Sequence, residues 1–243
     1  SRKYPFIKFT PERDMGNDLL IVKGLSKTID GEKVLDNINF SLRSNEKVAF
    51  LSRNDLATTT LYKILMGEIE PDEGTYKWGI TTSQSYLPRD TGSEFDGVEL
   101  TIIDWLRQYA NTEQQDNTFL RGFLGRMLFS GEDVNKKVSV LSGGEKVRCM
   151  LSKMMFQEAN VVLMDDPTNH LDLESISSLN DGLISFKGAV LFTSHDREFI
   201  NTIADRIIHV SGNGVVDRLD TTYDEFLEDA DVQERINNLY VNE

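Results

Sequence analysis

Apolar and polar positions alternate over parts of residues 19–24 and 33–42, on either side of an Asp30-Gly31 turn, and this predicts two strands in an antiparallel layer at the front of the chain. Residues 47–52 form a short apolar run that ends in a polar loop. Residues 58–67 then carry apolar side chains at helical spacing and close on Gly67, which gives strand, loop and helix. Pro71 to Gly74 marks a turn, and residues 75–80 read as another strand. From Leu100 to Leu151 apolar residues recur at three- and four-residue intervals, broken near Gly131 and at 142–144, so this stretch reads as a mostly helical insert. Residues 160–165 and 188–194 are near-continuous apolar runs of strand length, the pattern of a parallel sheet covered on both faces. A helix over 173–186 separates them. Both strands of this β-α-β unit end in polar residues, and ligands of such sheets gather at the carboxyl ends of the strands.

A chain of 243 residues suits one α/β domain with a buried core rather than two. We divide it into residues 1–17, expected to be the end of an interdomain linker because Pro5 and Pro11 stand among charges, a body over 18–227, and a tail over 228–243. The opening Ser1-Arg-Lys-Tyr-Pro-Phe reads like the middle of a longer polypeptide, so an excised domain is expected. Apolar residues at 39% and charged residues at 27% exclude a disordered or fibrous chain. Lys+Arg 26 against Asp+Glu 40 leaves a net charge of −14, which disfavours nonspecific binding to nucleic-acid backbones. The single cysteine, Cys149, can form no intramolecular disulfide and sits in what reads as a buried helix position; a reducing compartment, the cytoplasm, is expected. No apolar run approaches the roughly 20 residues that span a bilayer, so no membrane partner is expected.

Three motifs carry chemistry. In Leu141-Ser-Gly-Gly-Glu-Lys-Val-Arg148, Gly143 and Gly144 let backbone amides approach an anion just where a helix begins; the same residues also suit a plain structural cap. Val161-Val-Leu-Met-Asp165-Asp166-Pro-Thr-Asn-His-Leu-Asp172 ends an apolar strand in two carboxylates, within reach of a phosphate-held Mg²⁺ and a water, although Pro167 and the following helix also suit a capping turn. His195 follows the neighbouring strand, either as a structural residue or as a donor to a terminal phosphate.

In order and spacing these motifs resemble the ATP-binding cassette family over about residues 18–227: Leu141 to Glu145 match its signature sequence, Val161 to Asp165 its Walker B strand, Asn169 to Asp172 its D-loop, and His195 its switch histidine. The Asp-Pro-Thr-Asn-His-Leu-Asp wording, together with Leu128-Phe-Ser-Gly-Glu-Asp-Val and Ser194-His-Asp-Arg-Glu-Phe, is similar to the F subfamily, whose members carry two cassettes in one chain and no membrane domain. The resemblance implies a P-loop-type α/β cassette with a mixed core sheet, an antiparallel β subdomain and a helical signature subdomain near 100–150. It also implies ATP and Mg²⁺ as cofactors, a sister cassette as partner, and a ribosome met through regions outside this chain. Asp166 and His195 would be catalytic, with Thr59 and Asp165 at the metal. Ser142, Gly143, Gly144 and Glu145 would face an ATP bound to the sister cassette. The rivals are an ATPase subunit of a membrane transporter and a noncatalytic module that keeps the fold.

The loop after the third strand departs from the P-loop pattern G-x-x-x-x-G-K-[ST]. Ser52 and Ala57 stand at its two glycine positions, Asp55 at a further position of the loop where glycine is expected, and Thr58 replaces its lysine, while Thr59 and Thr60 follow as the pattern allows. Ser52, Asn54, Ala57, Thr58, Thr59 and Thr60 remain the expected nucleotide contacts. Ile29 stands where an adenine-stacking aromatic is usual, Arg89 where a glutamine is usual, and Asp166 where a Glu orients the attacking water. These departures predict a weak site at this P-loop, unless Arg89 or Arg53 supplies the missing charge.

Overall fold

The computed structural model describes residues 2–243; Ser1 lies outside the described residues. The chain begins with β1 (Asp18–Ile29) and β2 (Glu32–Arg43), a hairpin closed by Asp30 at φ 50° and Gly31 at φ 82°. Two successive positive φ values are what a two-residue turn of this hand requires, and Asp-Gly is a sequence that tolerates them. β3 (Lys47–Leu51) leads into α1 (Asp55–Leu65), followed by β4 (Glu73–Trp78) and β5 (Gln84–Leu87). Next come α2 (Gly92–Phe95), α3 (Ile102–Arg107), α4 (Asn117–Arg126) and α5 (Gly143–Gln157), with short 3₁₀ turns among them. β6 (Val161–Asp165), α6 (Leu173–Ser185), β7 (Ala189–Thr193) and α7 (Arg197–Ile203) follow, then β8 (Arg206–Ser211), β9 (Gly214–Arg218), α8 (Tyr223–Glu228) and α9 (Ala230–Leu239).

The strands form a mixed six-stranded sheet of order β5-β6-β7-β3-β8-β9, antiparallel only at β8-β9, and an antiparallel three-stranded sheet of order β2-β1-β4. Every residue of β6 and β7 is buried, as their unbroken apolar runs predict. One face of the large sheet packs on α1 and the small sheet, through Phe50, Tyr62, Phe40 and Leu20. The other face packs on the helical region, through Phe192, Met150, Trp105 and Met127. This is the cassette architecture expected, with its mixed sheet and antiparallel β layer. At the ends of the chain, Ile7 and Phe9 are buried, Phe9 edge-on to Phe186, and α9 buries Val232 and Ile236. Among the described residues no helix is long and apolar enough to cross a membrane.

One local expectation fails where function is at stake. The helix expected from Thr58 starts at Asp55, so only residues 52–54 separate it from β3. With Asp55 and Ala57 in place of glycines, positions 55–57 have no residue that favours the non-helical turns of a phosphate cradle. Helical backbone runs on toward the strand instead. Asn54 closes the helix: its side chain accepts from the Leu56 N–H, and its carbonyl from the Ala57 N–H.

Candidate functional site

The carboxyl ends of β3, β6 and β7 lie side by side and bring together residues distant in sequence. Asp165 closes β6 with its side chain fully buried, and one carboxylate oxygen, Oδ2, accepts from the Thr59 hydroxyl on α1 at 2.6 Å. Its other oxygen, Oδ1, accepts from Arg89 Nη2 at 3.0 Å. Burial pushes the Asp165 carboxyl above its ordinary range, while Thr59 and Arg89 pull the other way. The next residue, Asp166, takes the left-handed backbone at φ 55°, and its N–H donates to the Thr193 carbonyl at the tip of β7. That conformation is uncommon outside glycine, Asn and Asp. It turns the Asp166 carboxylate toward Arg89, whose Nη1 lies at 3.2 Å.

Arg89 follows β5 and is the centre of the cluster, for Nη1 also reaches Asp55 Oδ2 at 3.4 Å. Burial works against its charge, but Asp165, Asp55 and Asp166 outweigh it and raise the guanidinium further. His195, after β7, places Nε2 3.1 Å from the other Asp55 oxygen. Asp55, Thr59, Arg89, Asp165, Asp166 and His195 are thus one contiguous polar group. The contacts of Asp55 with His195 and Arg89 were not foreseen: they join residues 140 and 34 positions apart, and no local pattern signals them.

A Mg²⁺ with its polyphosphate does not fit these residues as they stand. Both oxygens of Asp165 are engaged, one by Thr59 and one by a cation of the chain itself, and the Leu56 and Ala57 amides are taken by Asn54. Thr58 is buried and donates its hydroxyl to the Asp55 carbonyl, while Ala57 and Thr60 are also buried, so none of the three offers a free group to a ligand. Ser52 remains partly exposed, with its oxygen accepting from the Asn54 N–H. Neither arginine supplies a free charge in place of the lysine. Arg89 is held by three carboxylates, and Arg53 stacks 4.0 Å above the Tyr240 ring and donates to Asn237 on α9.

The signature residues belong to a separate surface at the start of α5. Ser142 is its N-cap: the hydroxyl accepts from the Glu145 N–H at 3.2 Å, and the Glu145 carboxylate accepts from the Ser142 N–H at 3.0 Å, a reciprocal box. Burial opposes the charge of Glu145, yet the bonds from Ser142 prevail and hold its carboxyl below the ordinary range. Capping uses only acceptor capacity of the Ser142 hydroxyl, so its proton stays available to a ligand. Both glycines face His170, and Gly144 is required there by the close approach of backbone, whereas Gly143 meets only the exposed His170 ring. A Cβ on Gly143 would lie 3.0 Å from His170 Nδ1, and one on Gly144 would lie 2.7 Å from the His170 carbonyl oxygen. Among the described residues no cluster of three or more His, Cys, Asp or Glu side chains forms a metal site.

A family model described as "ABC transporter" matches residues 35–169, more than half of the chain. The chain belongs to this family of ATP-binding cassettes. It is 62% identical over 240 residues to the uncharacterized ABC transporter ATP-binding protein YkpA of Bacillus subtilis (strain 168), covering 99% of this chain and 44% of that protein. It is 32% identical over 219 residues to ABC transporter F family member 2 of Arabidopsis thaliana, covering 89% and 32%. It is 31% identical over 222 residues to the energy-dependent translational throttle protein EttA of Escherichia coli (strain K12), covering 90% and 39%. The chain therefore spans less than half the length of the curated relatives it matches. Among solved structures, an ATP-binding subunit of an ABC transporter superposes with a TM-score of 0.67 at 22% identity, over 92% of this chain and 98% of that one, which shows the shared fold.

Proposed function

We propose that this chain is the second cassette of a soluble, cytoplasmic two-cassette ATPase of the F type that acts on the translating ribosome, with residues 1–17 as the end of the linker from the first cassette. In this reading its own P-loop site is degenerate. Ser142, Gly143, Gly144 and Glu145 face an ATP held by the sister cassette, and Asp166 and His195 have lost most of their catalytic role. The relatives named for the F family and for translation support the assignment.

The observation that carries the reading is an asymmetry between two surfaces of one domain. The carboxylates that would hold a metal are engaged with the chain's own Arg89 and Thr59, whereas the signature turn keeps both glycines and an ordered cap. Signature amides and the Ser142 hydroxyl would stabilise charge that develops on a γ-phosphate presented by the sister cassette.

Steady-state ATPase of the full two-cassette protein tests this. Ser142→Arg or Gly144→Asp is expected to lower turnover by about 100-fold or more, the size of losing donors to a developing oxyanion. Thr59→Ala is expected to leave turnover within about twofold. Circular dichroism checks that the Gly144 variant folds, since its new side chain meets the His170 carbonyl. Equal losses on both surfaces would mean two working sites. Co-sedimentation of the full protein with ribosomes, with and without ATP, tests the cellular target; a protein that stays in the supernatant in both conditions sinks that part of the reading.

A further inference from the structure

We propose that Asp55 and Arg89 replace the charges of a bound Mg²⁺–nucleotide, so that this cassette keeps its P-loop site closed with ion pairs of its own. The inference rests on the degenerate-site reading and goes one step past it: the site is filled, not only stripped of its lysine. Three features converge. An anion belongs at the start of a helix that follows a strand of such a sheet, where free amides and the positive end of the dipole lie. In this chain that anion is the side chain of Asp55, the first residue of α1, and the Leu56 and Ala57 amides are already satisfied by Asn54.

A cation belongs between that anion and the carboxylates at the end of β6. The guanidinium of Arg89 stands there, 3.0 Å from Asp165, 3.2 Å from Asp166 and 3.4 Å from Asp55. The residue that would report on a terminal phosphate, His195, is turned to the Asp55 carboxylate instead. Asp165 is fully buried and Asp166 nearly so, which means that salt screens their pairs with Arg89 little and that a metal would have to displace a cation already seated. Restoring the P-loop sequence alone therefore leaves a cation in the metal's place.

The test is equilibrium binding of Mg²⁺–ATP to the 243-residue chain by calorimetry, in four forms: wild type, the restored loop Ser52→Gly/Asp55→Gly/Ala57→Gly/Thr58→Lys, Arg89→Gln, and the restored loop with Arg89→Gln. The restored loop alone is expected to bind weakly, and the combination at least about tenfold more tightly. A restored loop that binds as tightly as the combination overturns the role of Arg89 and leaves the degenerate-site reading intact. Tight binding by the wild type overturns both. Thermal melts without nucleotide supply a measurement that needs no redesigned loop: Arg89→Gln should lower the midpoint by roughly 5 °C or more by stranding buried carboxylates, and Arg89→Lys, which keeps one charge but not the fork, by less. A melt of Arg89→Gln equal to that of the wild type shows that these pairs do not hold the site closed.

Discussion

In the reading proposed above, Asp166 keeps its place and loses its task. At φ 55° it turns its carboxylate onto Arg89, and the acid is one methylene shorter than the Glu that its position suits. Lengthening it supplies reach but leaves the guanidinium in front and brings no opposing signature sequence. Asp166→Glu in the isolated chain is therefore expected to leave phosphate release at background; a phosphate-release assay that shows clear turnover for this one variant would mean the carboxylate alone was limiting. Cys149 gives a second residue-scale expectation. It is buried in α5, and burial pushes its thiol up to about 12, so almost no thiolate exists at neutral pH. Ellman's reagent should label it only after denaturation, and fast labelling of the native chain would contradict that burial. The substitutions at positions 52, 55, 57, 58 and 89 were legible in the sequence, because a missing glycine or lysine is a local fact. That Asp55 and Arg89 answer each other was not, because only the folded sheet brings positions 34 apart into contact.

Among the elements, β6, β7 and α6 were legible because unbroken apolar runs and a helical stripe leave few alternatives. β5 was not, for its four residues alternate in burial and carry too short a pattern to register. The start of α1 was misplaced because the P-loop template draws a loop where Asp55, Leu56 and Ala57 have no reason to avoid helix. The C-terminal helix α9 hides a titration. His209 on β8 is buried 2.6 Å from the Tyr240 hydroxyl, and burial first, then the nearby Arg53 charge, lowers its pKa from 6.5 to about 4. A depressed histidine makes the unfolded chain the better proton acceptor between those two values, so stability is full above pH 6.5 and falls as the pH drops toward 4. Between pH 7 and pH 5 the loss from this one residue should be about 2 kcal/mol. Urea unfolding at both pH values measures it, and His209→Gln should remove most of the difference; a variant with the same pH dependence as the wild type would trace the loss to other groups.

At the scale of the whole molecule, the net charge of −14 bears on the ribosomal role proposed above. Affinity for RNA backbones comes mainly from lysine and arginine neutralising phosphates and releasing counterions, and each such contact steepens the salt dependence. Several of the arginines here are already paired within the chain: Arg89 to three aspartates and Arg206 to Glu46 and Asp217 in the fold, Arg197 to Asp224 at the surface, and Arg53 to the ring of Tyr240. What remains is a surface on which acids outnumber bases, and it should repel a polyanion at long range, more strongly at low salt than at high. The isolated chain is therefore expected to leave a ribosomal RNA fragment free in filter-binding assays even near ~50 mM salt, where any phosphate contacts would be at their strongest. In the proposed two-cassette protein, the salt-sensitive part of the proposed ribosome binding should map to segments outside this chain. Micromolar RNA binding by the isolated chain that decays steeply with added salt would reverse the assignment and place a contact stripe on this cassette despite its charge.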